Sequence, residues 1–192
     1  MKKVFLLLFL SIFAIFTNSW LCEASSESVL DINGKILRTE KTYFIVPVNG
    51  KKYGGVAVET IGNNEACQLT VIPKRYVEPH GHGLELIPMD KKKGVIRVST
   101  DLNVAIYSTY DCRNSTMWQL EKYDGGRYFI NVGPKARRNW FRIEKYEHGY
   151  KFVYCKGICK DVGVVMVNGQ RRLGLNGAPL VFNFEKEILF GR

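Results

Sequence analysis

The chain has 192 residues, enough for one domain with a proper core. Ten Tyr, eleven Phe and eighteen Gly, with few stretches of helical periodicity, favour an all-β chain rich in turns. The formal charge of +10 points to acidic partners, but the basic residues are scattered over many strands, which argues against nucleic acid.

Residues 1–24 read as a leader rather than as part of a fold. Lys2 and Lys3 open it, residues 4–16 are almost wholly apolar, and Cys22-Glu23-Ala24 puts small residues at the −3 and −1 positions of a cleavage site. The pattern predicts a signal peptide cut after Ala24 and one domain over 25–192. The product is secreted, or vacuolar by the same route. The apolar run of 13 residues is too short to span a bilayer, so no membrane partner is expected. The leader carries two lysines and one glutamate, so its loss lowers the charge from +10 to +9. A basic secreted protein suits acidic glycans, wall polymers or an acidic protein face.

Cys22 leaves with the leader, and Cys67, Cys112, Cys155 and Cys159 remain. An even count in an oxidising compartment reads as two disulfides, with three possible connectivities. The pairing taken is Cys67–Cys112 with Cys155–Cys159, because near neighbours close easily. The long bridge closes 45 residues and contributes about 4 kcal/mol. The short bridge contributes about 2 kcal/mol at most and fixes the Lys156-Gly157-Ile158 turn. C-x3-C with two distant single cysteines is a poor match to zinc.

After a polar start, Val29-Leu30-Asp31-Ile32-Asn33-Gly34 gives an apolar entry and a turn. Residues 43–48 form a strand that Pro47 places at an edge or ends. Further strands are expected over 55–61 and 67–72. Pro79-His80-Gly81-His82-Gly83 is a loop. Its two histidines have no third ligand nearby, so they read as exposed imidazoles with no metal. Strand-like runs over 84–87 and 95–98 flank Ile87-Pro88-Met89-Asp90-Lys91-Lys92-Lys93-Gly94. A rigid proline, three lysines and a glycine between cross-linked cysteines make a candidate presenting loop. The alternative is a plain connection whose lysines only face water.

Residues 104–107 lead towards Cys112. Asn114-Ser115-Thr116 is the only N-x-S/T site, a glycosylation candidate on an exposed loop. Next, Trp118-Gln119-Leu120-Glu121-Lys122-Tyr123-Asp124-Gly125-Gly126 is echoed 23 residues later by Phe141-Arg142-Ile143-Glu144-Lys145-Tyr146-Glu147-His148-Gly149. Beyond the glycines, Phe129-Ile130 corresponds to Phe152-Val153. Repeated hairpins suggest a closed, pseudo-symmetric all-β fold without exposed edges. Asn168-Gly169 and Asn176-Gly177 then read as two hairpin turns. About a dozen strands result, at the spacing of a barrel or sandwich.

The residues resemble the plant Kunitz-type inhibitor family, in its soybean trypsin inhibitor-like and miraculin-like branches. The likeness covers nearly all of 29–186. It rests on Val29-Leu30-Asp31-Ile32-Asn33-Gly34-Lys35-Ile36-Leu37 with Tyr43-Phe44-Ile45, and on Gly94-Val95-Ile96-Arg97-Val98-Ser99-Thr100-Asp101-Leu102-Asn103. Trp140-Phe141-Arg142-Ile143, Tyr150-Lys151-Phe152-Val153-Tyr154-Cys155, Asp161-Val162-Gly163 and Pro179-Leu180-Val181 follow in order. The resemblance implies a β-trefoil: six strands in a short barrel, six more capping it as hairpins, in three pseudo-repeats. The family's two bridges agree with the cysteine order.

The resemblance also implies a monomeric, cofactor-free inhibitor of serine endopeptidases that acts through a loop between the first two cysteines. A preorganised loop loses little ordering entropy on entering the enzyme cleft. A basic residue at the specificity position pairs with the acidic pocket of a trypsin-like enzyme. Lys91, 24 positions after Cys67, resembles that position. Lys92 is its rival, and Met89 suits a chymotrypsin-like pocket. Pro88, Met89, Asp90, Lys91, Lys92 and Lys93 are therefore the candidate reactive loop within 86–94. Two features depart from the family. Trypsin-inhibiting relatives stiffen the loop with an Asn where Thr39 stands here, and Thr is shorter with no amide donor. The Cys155–Cys159 loop is tighter than in many members. The alternative function is a non-inhibitory binding, storage or defence protein on the same scaffold. No Q-x-W repeat supports a lectin, and neither a nucleophile elbow nor paired carboxylates support an enzyme.

Overall fold

The structure, a computed structural model, describes residues 26–48, 53–60, 69–75, 80–90, 94–106, 115–134 and 139–187. The leader, Cys67, Cys112, Pro79, Lys91, Lys92, Lys93 and Asn114 lie outside these residues. The described strands are β1 (Thr42–Pro47), β2 (Val56–Thr60), β3 (Leu69–Pro73), β4 (Leu84–Pro88), β5 (Leu102–Ile106), β6 (Ser115–Lys122), β7 (Tyr128–Pro134), β8 (Phe141–Tyr146), β9 (Gly149–Lys156), β10 (Ile158–Val167), β11 (Gln170–Leu175), β12 (Ala178–Pro179) and β13 (Phe182–Lys186).

Six of them close a ring by antiparallel pairing. β1 pairs β4, β4 pairs β5, β5 pairs β8, β8 pairs β9, β9 pairs β13, and β13 returns to β1. Three hairpins, β2–β3, β6–β7 and β10–β11, stand outside that ring and join one another through β3–β7 and β7–β11. This is a β-trefoil, all-β as the sequence predicts. Alternate residues of the ring strands fill the centre. Tyr43 and Ile45, Leu84 and Leu86, and Phe182 and Phe184 are buried together, each pair two positions apart as a pleat requires. Trp118 packs edge-on against Phe141 and Phe152, with ring centroids 5.8 and 5.2 Å away.

Several expectations change in the structure. β1 is no edge strand, because β4 and β13 flank it, but it does stop at Pro47. Residues 95–98 form isolated bridges, Arg38 with Val95 and Ser28 with Arg97, rather than a strand. Asn168-Gly169 makes its hairpin, with φ of 49° and 78° at the two turn residues. Asn176-Gly177 makes none: only Asn176 has positive φ, and the following β12 pairs β10 instead of β11. Glycine is needed at 177 because a Cβ there would lie 2.7 Å from the Val164 carbonyl oxygen.

The 23-residue echo holds for the first strand of each hairpin and slips in the second. Leu120 faces Ile130, ten residues on, whereas Ile143 faces Phe152, nine residues on. The first hairpin turns through a short 3-10 segment, Asp124–Gly126, and the second through a two-residue turn. An odd difference in length swaps the faces of a strand. Ile130 and Phe152 therefore join the central cluster, while Phe129 and Val153, though also buried, lie outside it.

Candidate functional site

β4 ends on Pro88, whose side chain is buried like those of Leu84 and Leu86. The chain then turns outward. Met89 is 65% exposed, and Asp90 is exposed too. The last rung before the turn runs from the Met89 N–H to the Asp101 carbonyl at 2.9 Å. Asp101 is itself anchored, because its carboxylate accepts a 2.6 Å hydrogen bond from Arg142 Nε on β8. That bond, more than any other influence, raises the Arg142 guanidinium above its ordinary pKa.

The return limb is held by the N-terminal segment. Thr39 N–H donates to the Gly94 carbonyl at 3.2 Å, Ile96 N–H to Leu37 at 3.0 Å, and Val29 N–H to Ile96 at 2.9 Å. Val98 N–H reaches Glu27, and Arg97 reaches the Ser26 carbonyl with its guanidinium. Residues 26–39 thus form a strap against which 94–98 lies. Ile96, Leu37 and Val29 are fully buried beneath it, so the strap is fixed by apolar burial as well as by hydrogen bonds. Gly94 has φ of +59°, a left-handed conformation that L side chains adopt at a cost. A cleft of about 180 Å³ is lined by Thr39, Glu40, Glu85, Leu86, Ile87 and Pro88 at the loop base. A second of about 330 Å³ has Pro88, Met89, Val95 and Thr100 among its walls.

Of the expected site residues, the structure brings Met89 and Asp90 to one exposed turn, keeps Pro88 buried as the last residue of β4, and puts Thr39 against the far limb. The Thr39 hydrogen bond is made by its backbone. No bond runs from its hydroxyl to another described residue, although that oxygen would lie 3.8 Å from a Cβ at Gly94. Asp101 and Arg142 were not marked as site residues. They lie 41 residues apart, and no spacing rule joins them.

The second disulfide is present. Cys155 and Cys159 face each other across β9 and β10, with Gly157 at φ of +81° in the turn between them. Of the two histidines, His80 Nε2 lies 3.1 Å from Glu185 and its ring lies against Phe44. His82 is not the exposed imidazole expected. It is half-buried, and burial, with the charge of Lys74, lowers its pKa. Gly81 between them is required, since a Cβ would lie 2.2 Å from the Val56 carbonyl oxygen. Among the described residues no group of three His, Cys, Asp or Glu is placed to hold a metal, and no helix is long and apolar enough to cross a membrane.

Comparisons with known proteins agree with this fold. Miraculin from Synsepalum dulcificum is 36% identical, over 88% of this chain and 87% of its own. Kunitz trypsin inhibitor 5 from Arabidopsis thaliana is also 36% identical, over 85% and 88%. The structure of the rice bifunctional alpha-amylase/subtilisin inhibitor from Oryza sativa superposes with a TM-score of 0.72 at 29% identity, covering 85% of this chain and all of that one. A family model described as trypsin and protease inhibitor, of the Kunitz legume type, matches residues 29–186. The chain belongs to that Kunitz family, whose members are inhibitors rather than enzymes.

Proposed function

We propose that the mature chain, released from a signal peptide over 1–24, is a secreted inhibitor of serine endopeptidases that acts through segment 86–94. The observation that carries this reading is that both limbs of the β4–β5 connection are pinned while Met89 and Asp90 face outward. Met89 is tied to Asp101, and Gly94 to Thr39. A loop already ordered before binding gives up little entropy in an enzyme cleft. It also resists the unfolding that complete cleavage needs. Lys91 is the specificity residue in this reading, with a trypsin-like enzyme as partner, and Thr39 supports the loop. Cys67 bridges Cys112, and Asn114 carries glycan.

The test is a titration of the purified, oxidised protein against trypsin, chymotrypsin and subtilisin. Trypsin activity should fall in proportion to inhibitor added, and Lys91→Ala should abolish that effect while leaving the melting temperature unchanged. Unchanged trypsin inhibition by the variant would move the site elsewhere.

A second reading, a non-inhibitory protein on the same scaffold, is favoured by one observation. Among the described residues, the support from Thr39 comes from its backbone N–H to Gly94 and not from its side chain. Absence of inhibition of all three enzymes by folded protein at large excess would favour it.

A further inference from the structure

The excess positive charge has a structural focus away from the loop. β1 leads into the β2–β3 cap and β4 runs back from it, so Pro88 lies at the opposite mouth of the barrel. Between the β2–β3 and β10–β11 caps runs a groove of about 260 Å³. Lys74, Arg75 and Arg171 line it against a single carboxylate, Glu59, with the largely buried Ile72 and Pro73 also in its lining.

The cations are placed by rigid backbone. The Lys74 N–H bonds the Gly55 carbonyl at 2.7 Å. Arg171 pairs with Met166 beside the Asn168-Gly169 turn, and its guanidinium carbon sits 5.8 Å from the centre of the Tyr53 ring. Arg172, next along β11, and Arg127 lie 5.8 and 5.9 Å from the Phe129 ring, so positive charge continues around β11.

We propose that this groove binds an acidic polysaccharide, a chain of uronic acid residues, through Arg75 and Arg171. Guanidinium groups match carboxylates with paired hydrogen bonds. The groove is smaller than the pockets that enclose free small ligands, which suits a polymer crossing it one sugar at a time. Ile72 and Pro73 among its walls offer some apolar contact to the C–H face of a sugar ring, and Glu59 beside the cations weakens attraction to the densest polyanions. This inference does not depend on the inhibitory reading.

The experiment measures binding to polygalacturonate at about 0.05 M salt, where surface charges are weakly screened. Fully methyl-esterified polygalacturonate and polyglutamate serve as the other arms. The double variant Arg75→Gln, Arg171→Gln is compared with Lys35→Gln, Lys156→Gln, which removes the same charge elsewhere. The wild-type protein and the lysine variant should bind polygalacturonate alike, the arginine variant about tenfold more weakly, and the ester should not bind. Should the arginine double variant not fold, Arg75→Gln alone, at an exposed position, should give a smaller loss in the same direction. Equal loss in the lysine control, polyglutamate binding as tight as polygalacturonate binding, or no binding by the wild-type protein would each overturn the proposal. Inhibition of trypsin, read on the same samples, should not change.

Discussion

At Gly94 the left-handed φ and the space around the residue can be separated. A Cβ would meet only the Thr39 hydroxyl, at an ordinary 3.8 Å, so an alanine fits but is strained. The strain is about 1 kcal/mol. Gly94→Ala should therefore weaken inhibition about fivefold and speed cleavage of the loop, with the melting temperature lowered by only a few degrees. Inhibition constants and the mass of recovered inhibitor check this. The glycine was visible in the sequence as the end of the lysine run, but its conformation was not. The strap was hidden too: bridges of one residue each, such as Arg38 with Val95, leave no periodicity to read. Thr39 was found only because a family pattern marked its position.

Among the elements, hairpins were legible where the turn chemistry lay within two residues. Asn168-Gly169 is the example, and Asn176-Gly177 is the failure, decided by how β12 packs on β10. The echo between the two central hairpins was read correctly up to the turns and then lost its phase. The 3-10 segment adds a residue whose effect on facing no sequence match reveals. The β9–β10 hairpin, closed by Cys155–Cys159, supplies a barrel strand and part of a cap; it meets the strap through Tyr150, whose hydroxyl accepts a 3.0 Å hydrogen bond from the Leu30 N–H, and not through the bridge itself. Replacing both cysteines by serine should cost at most about 2 kcal/mol of stability, because the bridge closes so little chain. Inhibition should be unaltered. Denaturant midpoints and a trypsin titration on the same variant separate the two effects.

For the whole molecule, a closed all-β fold was foreseeable from repeated hairpins and its six-strand ring with three caps from the family resemblance, whereas the side-chain environment at the joints was not. His82 shows the difference. The sequence places it in a turn, but the parallel bridge of Gly81 to Val56 brings it against the body of the fold. Its pKa is lowered by burial first and by Lys74 second. A histidine whose folded pKa is depressed favours folding fully above the unfolded value of 6.5, and that contribution is lost as pH falls below it. The melting temperature should therefore drop between pH 7.5 and 5 more steeply in the wild-type protein than in His82→Gln. Parallel curves would mean that His82 stays accessible to protons in the fold.

In the proposed function, a braced loop at one mouth of the trefoil occupies a protease without being consumed. The most direct measurement is equimolar incubation of the oxidised protein with trypsin, followed over hours by residual activity and by intact mass. The account predicts activity near zero, with any slow cut confined to the segment between Met89 and Gly94. Full activity alongside a folded inhibitor, or rapid cleavage at many sites, would contradict it.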